Sequence, residues 1–236
     1  MPASADKTVL RIIDQFTTLL LDMNSTFMFN EDRFGPAEDY HATYRQWGGA
    51  LTPEALRTAI EACLAYMEIR YPDPVWHNQF PTVKAVLGIL PETTAFDLTE
   101  LDRIAETIAL HELGHIPESY ADVLHQLAQT HQLAVVADIW SEKSLWIIEL
   151  ERAGVLDLFD VQIYSSDIGS VKPSAKPFLR AIEALGVSKS ACVMVGDSAR
   201  RDIGGAEAAG IAGIWIGKGE GPAYAIAQVE DLRLLV

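Results

Sequence analysis

The sequence contains little cysteine and no long hydrophobic run, and both scarcities narrow the possible classes of protein. Its two cysteines, Cys63 and Cys192, lie far apart and lack the spacing of a metal site. They indicate no disulfide framework, which fits a reducing compartment. No run approaches the roughly 18 apolar residues of a membrane span, and residues 1–7 contain no apolar signal core. We therefore expect a cytoplasmic protein with no membrane partner.

Positive charge is also scarce. The chain carries 33 acidic and 18 basic residues, which gives a net charge of −15. This charge would repel a polyanion, so we expect no nucleic-acid partner. It also opposes an anionic substrate unless a bound cation reverses the local field. The 236 residues are 49% hydrophobic, enough for the sizeable core of a globular enzyme.

Two short apolar runs end in an aspartate. Residues 17–21 are typical of a buried strand and lead into Asp22, and residues 191–195 lead into Gly196-Asp197. In an open parallel sheet, ligands bind just beyond the carboxyl ends of the strands. An aspartate at that position is expected to be a nucleophile, a metal ligand or both.

The rest of the chain follows two different patterns. A short amphipathic lead-in covers residues 1–16, and residues of about 36–114 show helical spacing with no convincing strand. After residue 117, helices alternate with strands. With the first strand, these strands predict an α/β fold built on a doubly wound, five-stranded parallel sheet. Their predicted ranges are 133–138, 161–165, 191–195 and 212–216.

Three short motifs lie in this frame in a fixed order: Asp22-x-x-x-Thr26, Ser170-Val171-Lys172-Pro173, and Gly196-Asp197-Ser198 followed by Asp202. With these motifs the sequence resembles the haloacid dehalogenase (HAD) superfamily of phosphatases and related hydrolases. The resemblance covers nearly the whole chain and implies a Rossmann-like core with strand order 5-4-1-2-3. It also implies that the inserted helices form a cap. The core would then comprise residues 1–35 and 115–236, and the cap residues 36–114.

The resemblance implies a phosphoric monoester hydrolase that acts on small phosphorylated metabolites. Asp22 would attack phosphorus in line and form an aspartyl-phosphate, which water later hydrolyses. Lys172 would neutralise charge on the nucleophile and on the transferring phosphoryl group. Thr26 and Ser198 are expected to contact the substrate.

The same resemblance implies a magnesium site. Mg2+ takes hard oxygen ligands and keeps several waters, so a few protein ligands are enough. Asp22, Asp197 and the backbone carbonyl of Asn24 would supply them. Asp202 would either support the metal or hold the lysine.

Two positions depart from the family's pattern. Phosphatases of the family usually carry a second aspartate two residues after the nucleophile, where it protonates the leaving group. Here Asn24 stands in that place, and losing a general acid typically costs roughly 10²–10⁴ in rate. Strand two usually ends in a serine or threonine that binds the phosphoryl oxygens. Here we expect Ala137 and then Asp138 at the substrate, and a carboxylate beside a phosphate is unfavourable unless it is protonated or metal-bound.

Three alternatives stay open. A dehalogenase also lacks the second aspartate, but it needs no magnesium and usually lacks acids such as Asp197 and Asp202. A phosphonate hydrolase uses a cap lysine to form an imine, and Lys84 is the only lysine between residues 36 and 114. A non-catalytic or regulatory binding protein could keep the metal site while tolerating Asn24.

One further pattern points elsewhere. Residues 111–115 read His-Glu-Leu-Gly-His, which matches the zinc-protease pattern H-E-x-x-H. That motif requires a continuous helix that presents both histidines. Because Gly114 interrupts the run and Pro117 follows, we expect a helix end there and no zinc site.

Overall fold

The computed structural model describes residues 12–236. Of the predicted lead-in, residues 1–11 lie outside the described residues, whereas Ile13 is buried in the hydrophobic core. No helix within the described range combines the length and the apolar character needed to cross a membrane.

A parallel sheet forms the centre of the fold. Its strands, in chain order, are β1 (Thr18–Leu21), β2 (Gln132–Ala137), β3 (Phe159–Tyr164), β4 (Cys192–Gly196), β5 (Ala212–Ile216) and β6 (Ala227–Val229). They lie in the order β3-β2-β1-β4-β5-β6, and every neighbouring pair is parallel. Strand β1 therefore sits inside the sheet, with Leu21 opposite Val135 of β2 and Val195 of β4.

The predicted count of five strands is wrong, because the described chain has a sixth. Strand β6 has only three residues and contains no apolar run that could signal it in the sequence. It forms by pairing with the edge of β5, and the amide of Gly217 donates to the carbonyl of Val229 at 2.8 Å. The order of the other five strands, 5-4-1-2-3, is confirmed.

Both faces of the sheet are covered by apolar packing. Successive strand residues point to opposite faces. On one face, Leu19 and Leu21 pack into a large cluster with α5 (Glu118–Leu127) and α6 (Ser144–Arg152); on the other, Leu20 packs with Phe178. The remaining helices of this region are α7 (Ser165–Ile168), α8 (Ala175–Leu185) and α9 (Gly204–Ala209). Burial on both faces explains why the strands are almost wholly apolar.

The chain between β1 and α5 folds into a separate helical layer. Its helices are α1 (Tyr40–Gln46), α2 (Pro53–Arg70), α3 (Val83–Leu87) and α4 (Leu98–Glu112). Each begins at a residue whose side chain accepts a hydrogen bond from a first-turn amide, namely Asp39, Thr52, Thr82 and Asp97. Their apolar stripes meet in a second core that includes Tyr44, Leu56 and Ile104. The helical insertion therefore has a core of its own.

Backbone hydrogen bonds hold this helical layer against the loops of the sheet. The amide of Phe80 donates to the carbonyl of Gly169 at 3.1 Å, and that of Val83 to Trp140 at 2.9 Å. In the other direction, the amide of Val171 donates to the carbonyl of His77 at 2.9 Å. The layer is thus closed over the carboxyl ends of the strands.

The two segments that connect the helical layer to the sheet lie side by side. Phe29 and His115 exchange backbone hydrogen bonds of 2.9 and 2.7 Å. A Cβ atom at Gly114 would lie 2.6 Å from Cγ of Met28 and 2.9 Å from the carbonyl oxygen of Phe29. Only glycine allows the two segments to approach this closely.

We expect Gly114→Ala to lower the free energy of unfolding by about 1–3 kcal/mol, because the added methyl group must displace Met28 or the backbone of Phe29. Gly88→Ala is the matched control, since a Cβ there would meet the carbonyl of Ala85 at an ordinary 3.5 Å. Urea unfolding of both variants measures the difference. Equal stability of the two would contradict this reading of the connection.

Candidate active site

A cavity of about 440 Å³ lies beyond the carboxyl ends of β1, β2 and β4. Five residues that the sequence analysis selected line it: Asp22, Asn24, Asp138, Lys172 and Asp197. They come from four separate stretches of the chain. The parallel topology brings them together, because the carboxyl ends of neighbouring strands meet at one edge of the sheet.

The ammonium group of Lys172 lies at the base of this cavity. Its Nζ donates to Oδ1 of Asp22 and to Oδ1 of Asp202, both at 2.6 Å, and to the carbonyl oxygen of Val136 at 3.1 Å. An ammonium group has three N–H donors, so all of them are engaged. The lysine is only 2% exposed. It thus ties together the ends of β1 and β2 and the turn after β4.

The surrounding carboxylates keep this lysine charged. Burial by itself would lower the pKa of Lys172, but Asp202, Asp22 and Asp138 together raise it above its ordinary value. Burial raises the pKa of Asp202 to about 7, with repulsion from Asp22 adding to the shift. The second oxygen of Asp202 accepts from the amide of Ser198 at 2.8 Å. Both oxygens of Asp202 are therefore engaged, one of them with the lysine.

Three carboxylates converge next to the lysine. Asp22, Asp197 and Asp202 each place one oxygen within 4.8 Å of the others. Burial, followed by repulsion from Asp22, raises the pKa of Asp197 to about 6. Three carboxylates around one ammonium leave negative charge to be neutralised, and hard oxygens are the ligands that Mg2+ prefers. The donor set fits this ion. Asp22 and Asp197 are better placed to bind it than Asp202, because both oxygens of Asp202 already accept hydrogen bonds.

Asn24 and Asp138 both line the cavity but differ in their hydrogen bonding. Oδ1 of Asn24 is buried and has no hydrogen-bond partner among residues 12–236. Asp138 accepts from the hydroxyl of Tyr71 at 2.7 Å and from the amide of Lys172 at 3.1 Å through each oxygen. Burial raises the pKa of Asp138, while Lys172 and Tyr71 oppose that shift. With these donors around it, Asp138 acts as an acceptor.

The other predicted site residues lie outside the cavity wall. Asp202 is fully buried behind it, and Ala137 is buried at the end of β2. Thr26 is 1% exposed, and its hydroxyl has no partner in the described chain. The hydroxyl of Ser198 accepts from Nε of Arg201 at 3.2 Å. The roles of Thr26, Ala137 and Ser198 toward a substrate stay predictions.

Several wall residues were not selected from the sequence. They are Ser25, Glu31, Asp32, Phe34, Glu68, Tyr71, Glu112, Trp140 and Arg201. The sequence did hold a signal for Arg201, which lies within the motif that runs from Gly196 to Asp202. Tyr71 reaches the cavity from the residue that directly follows α2.

In the H-E-x-x-H run, Glu112 lines the cavity, whereas the two histidines lie in different surroundings. His111 is buried and its Nδ1 lies 3.0 Å from the carbonyl oxygen of Arg33, whereas the exposed His115 lies 3.1 Å from Glu149. The carboxylate of Glu112 accepts from the backbone amides of Trp140 and Ser141. Glu112 thereby ties the end of α4 to the loop after β2.

Glu112 should make stability depend on pH. Burial raises its pKa from 4.5 to about 7, although the amide of Trp140 opposes the shift. The folded protein therefore binds the proton more tightly than the unfolded chain. As pH rises through this window, the free energy of unfolding falls, by at most about 1.4 kcal/mol for each unit by which the pKa is raised. Glu112→Gln removes this titration and should lessen the fall between about pH 5 and about pH 8.

Urea unfolding at the two pH values measures the effect of this substitution. Glu106→Gln is the matched control, because Glu106 is an exposed carboxylate on the same helix, α4. A pH dependence in Glu112→Gln as steep as that of the unaltered protein would contradict the assignment.

Comparison with known proteins places the chain in a family. Residues 76–216 match the family model of haloacid dehalogenase-like hydrolases. The chain is 34% identical over 97 residues to the pyrimidine 5'-nucleotidase YjjG of Escherichia coli (strain K12), which is 38% of this chain and 43% of that protein. It is 29% identical over 165 residues to the pyrophosphatase PpaX of Halalkalibacterium halodurans, which is 62% of this chain and 75% of that protein.

The fold comparison agrees. A crystal structure of 2-haloacid dehalogenase from Pseudomonas syringae pv. Tomato DC3000 superposes with a TM-score of 0.64 and 25% sequence identity. The match covers 93% of this chain and 96% of that one. The parallel sheet agrees with this family match, since residues 76–216 contain β2, β3, β4 and β5. The chain belongs to the haloacid dehalogenase-like hydrolases.

Proposed function

We propose that this hydrolase is a magnesium-dependent phosphatase of small phosphorylated metabolites. The observation that carries the proposal is the position of Asp22, which lines the cavity, 2.6 Å from the ammonium of Lys172 and beside Asp197. The names of two relatives, a nucleotidase and a pyrophosphatase, support a phosphorylated substrate. So does the lysine, since it offsets the repulsion between a phosphate and the nucleophile.

The reaction would pass through Asp22. One carboxylate oxygen is held by Lys172, and the other forms a bond to phosphorus while the ester P–O bond breaks. The leaving oxygen departs with the electron pair and takes a proton from solvent, because Asn24 cannot supply one. Water then attacks the phosphorus of the aspartyl-phosphate, loses its proton to solvent and releases phosphate, which restores the carboxylate of Asp22.

Mg2+ would be held by Asp22, Asp197 and the backbone carbonyl of Asn24, and would neutralise charge on the phosphoryl group. Asp202 would position Lys172, since both of its oxygens are engaged away from the cavity. We further propose that residues 36–114 act as a cap that excludes water from the cavity. Two free, buried cysteines are consistent with the cytoplasmic location that we propose.

In the presence of Mg2+, the protein should hydrolyse members of a panel of phosphorylated metabolites, and chelation should abolish this activity. Asp22→Asn should lower kcat by at least about 10³-fold, because it removes the nucleophile. Asp160→Asn, which changes an exposed residue of β3, is the control that should leave the rate unchanged. Full activity in Asp22→Asn would rule out the mechanism.

Asn24 gives a second prediction. Without an acid at this position, rates should depend steeply on the pKa of the leaving group, so that aryl and acyl phosphates react and alkyl phosphates barely do. Asn24→Asp changes little volume and should raise alkyl-phosphate turnover by about 10-fold or more. Asn30→Asp, an exposed position outside the cavity wall, is the matched control.

The outcomes of this substitution separate the rival functions. An Asn24→Asp protein that binds Mg2+ but hydrolyses no phosphate ester would favour a binding protein. A fall in activity would favour a reaction suited to asparagine, as in a phosphonate hydrolase. The structural neighbour is a 2-haloacid dehalogenase, so a 2-haloacid belongs in the panel, and metal-independent halide release would overturn the phosphatase proposal.

A further inference from the structure

An anionic ligand in this cavity needs hydrogen-bond donors, and the base of the cavity offers few free ones. All three donors of Lys172 are already engaged by Asp22, Asp202 and Val136. The side chain of Ala137 has no polar group, and Asp138 is an acceptor. A charged donor for a phosphoryl group must therefore come from another part of the wall.

Arg201 is the second cation of the cavity wall. Its Nε donates to the hydroxyl of Ser198 at 3.2 Å, and its Nη1 donates to the hydroxyl of Tyr71 at 3.0 Å. A guanidinium has five N–H groups, so three of them have no partner among the described residues. These three belong to the two terminal nitrogens, which present the planar fork that matches phosphate.

The charge of Arg201 is also unpaired. The side chain is half-buried, and seven carboxylates line the same cavity, yet none forms an ion pair with it in the described chain. Its side-chain partners are two neutral hydroxyls. Charges that leave bulk water are normally paired. A half-buried cation with free donors that faces a cavity therefore indicates an anionic ligand.

Tyr71 connects this guanidinium to the helical layer. Its hydroxyl accepts a hydrogen bond from Arg201 and donates one to Asp138 at 2.7 Å. Asp138 in turn accepts from the backbone amide of Lys172. Tyr71 directly follows α2, whereas the other three residues belong to loops and turns at the strand ends. The guanidinium is thus oriented by a hydrogen-bond chain that is complete when the helical layer is closed over the sheet.

We propose that Arg201 binds the oxygens of the transferring phosphoryl group and that Tyr71 is its positioning residue. This inference rests on the proposed phosphatase function. It gives the phosphoryl group the donors that Ala137 and the fully engaged Lys172 do not provide. It also makes closure of the helical layer a condition for binding the phosphoryl group.

Binding of inorganic phosphate in the presence of Mg2+ tests the first part. Isothermal titration calorimetry should show that Arg201→Gln weakens phosphate binding by about 10-fold or more, the loss typical of hydrogen bonds to a charged group. Arg201→Lys keeps the charge but lacks the planar fork, so its phosphate affinity should lie between that of the unaltered protein and that of Arg201→Gln. Arg200→Gln is the matched control, since it removes the same charge from the adjacent, exposed residue. Mg2+ should still bind to all variants, because none of the substituted residues is a proposed metal ligand.

A double-mutant cycle tests the second part. Tyr71→Phe removes only the hydroxyl and should weaken phosphate binding by about 3-fold or more, because Arg201 loses its orientation. In the Arg201→Gln background the same substitution should have no further effect, which a merely structural role for Tyr71 would not produce. Tyr224→Phe is the control, because its hydroxyl donates to the carbonyl of Ala199 on the same turn but outside the cavity wall. Additive effects of the two substitutions would overturn the positioning role.

The results separate this inference from the phosphatase proposal. If the unaltered protein hydrolyses esters, and Arg201→Gln binds phosphate as tightly as the unaltered protein, the inference fails and the phosphatase proposal stands. If the unaltered protein binds phosphate through Arg201 but hydrolyses no ester, the phosphatase proposal fails and the binding role stands. If only affinity for substrates with a second anionic group falls, Arg201 contacts that group and the assignment to the transferring phosphoryl group is wrong. If the protein neither binds phosphate nor hydrolyses an ester, both fail.

Discussion

The buried ammonium of Lys172 is the interaction on which the geometry of the site depends. Removing such a charge from water costs several kcal/mol, and the cost is offset only where carboxylates and further hydrogen bonds surround it. Here Asp22 and Asp202 lie at 2.6 Å, and the carbonyl of Val136 completes the set. Since the lysine follows β3, Asp22 follows β1 and Asp202 follows β4, this one group fixes three loops relative to one another.

The charge of the cavity explains why further cations matter. Seven carboxylates and two cationic side chains line it, so about a third of the acidic excess of the chain lies at its candidate site. A phosphate would be repelled by such a wall unless cations shielded the nearest carboxylates. Burial, followed by repulsion from Asp22, raises the pKa values of both Asp197 and Asp202. The proposed Mg2+ site would shield the nucleophile, and Arg201 adds a positive charge to the cavity wall.

The sequence carried enough information for the sheet and the base of the site. Once the apolar runs before Asp22 and Asp197 are recognised as parallel strands, topology alone places both aspartates at one edge. The short strand β6 could not be predicted, because its stability comes from pairing with β5 and its sequence carries no apolar run.

The cavity residues that come from the helical layer could not be identified from the sequence, for a different reason. Helical periodicity shows which residues of a helix are apolar, but the orientation of the whole layer over the sheet decides whether a residue such as Tyr71 faces its own core or the cavity. Glu112 was obscured in the same way, because its carboxylate binds amides that lie 28 and 29 residues further along the chain. Arg201 lies inside a recognised motif, yet its free donors could be identified only from its contacts with Ser198 and Tyr71 in the structure.

The most direct test of the account is to trap the covalent intermediate. The protein would be mixed briefly with Mg2+ and an aryl phosphate, quenched in acid and treated with borohydride, which reduces an acyl phosphate on aspartate to homoserine. Mass spectrometry of the peptides should then find homoserine at position 22, and none in the Asp22→Asn protein. Turnover of the aryl phosphate without a modified Asp22, or with the modification on another residue, would contradict the central claim that Asp22 is the nucleophile.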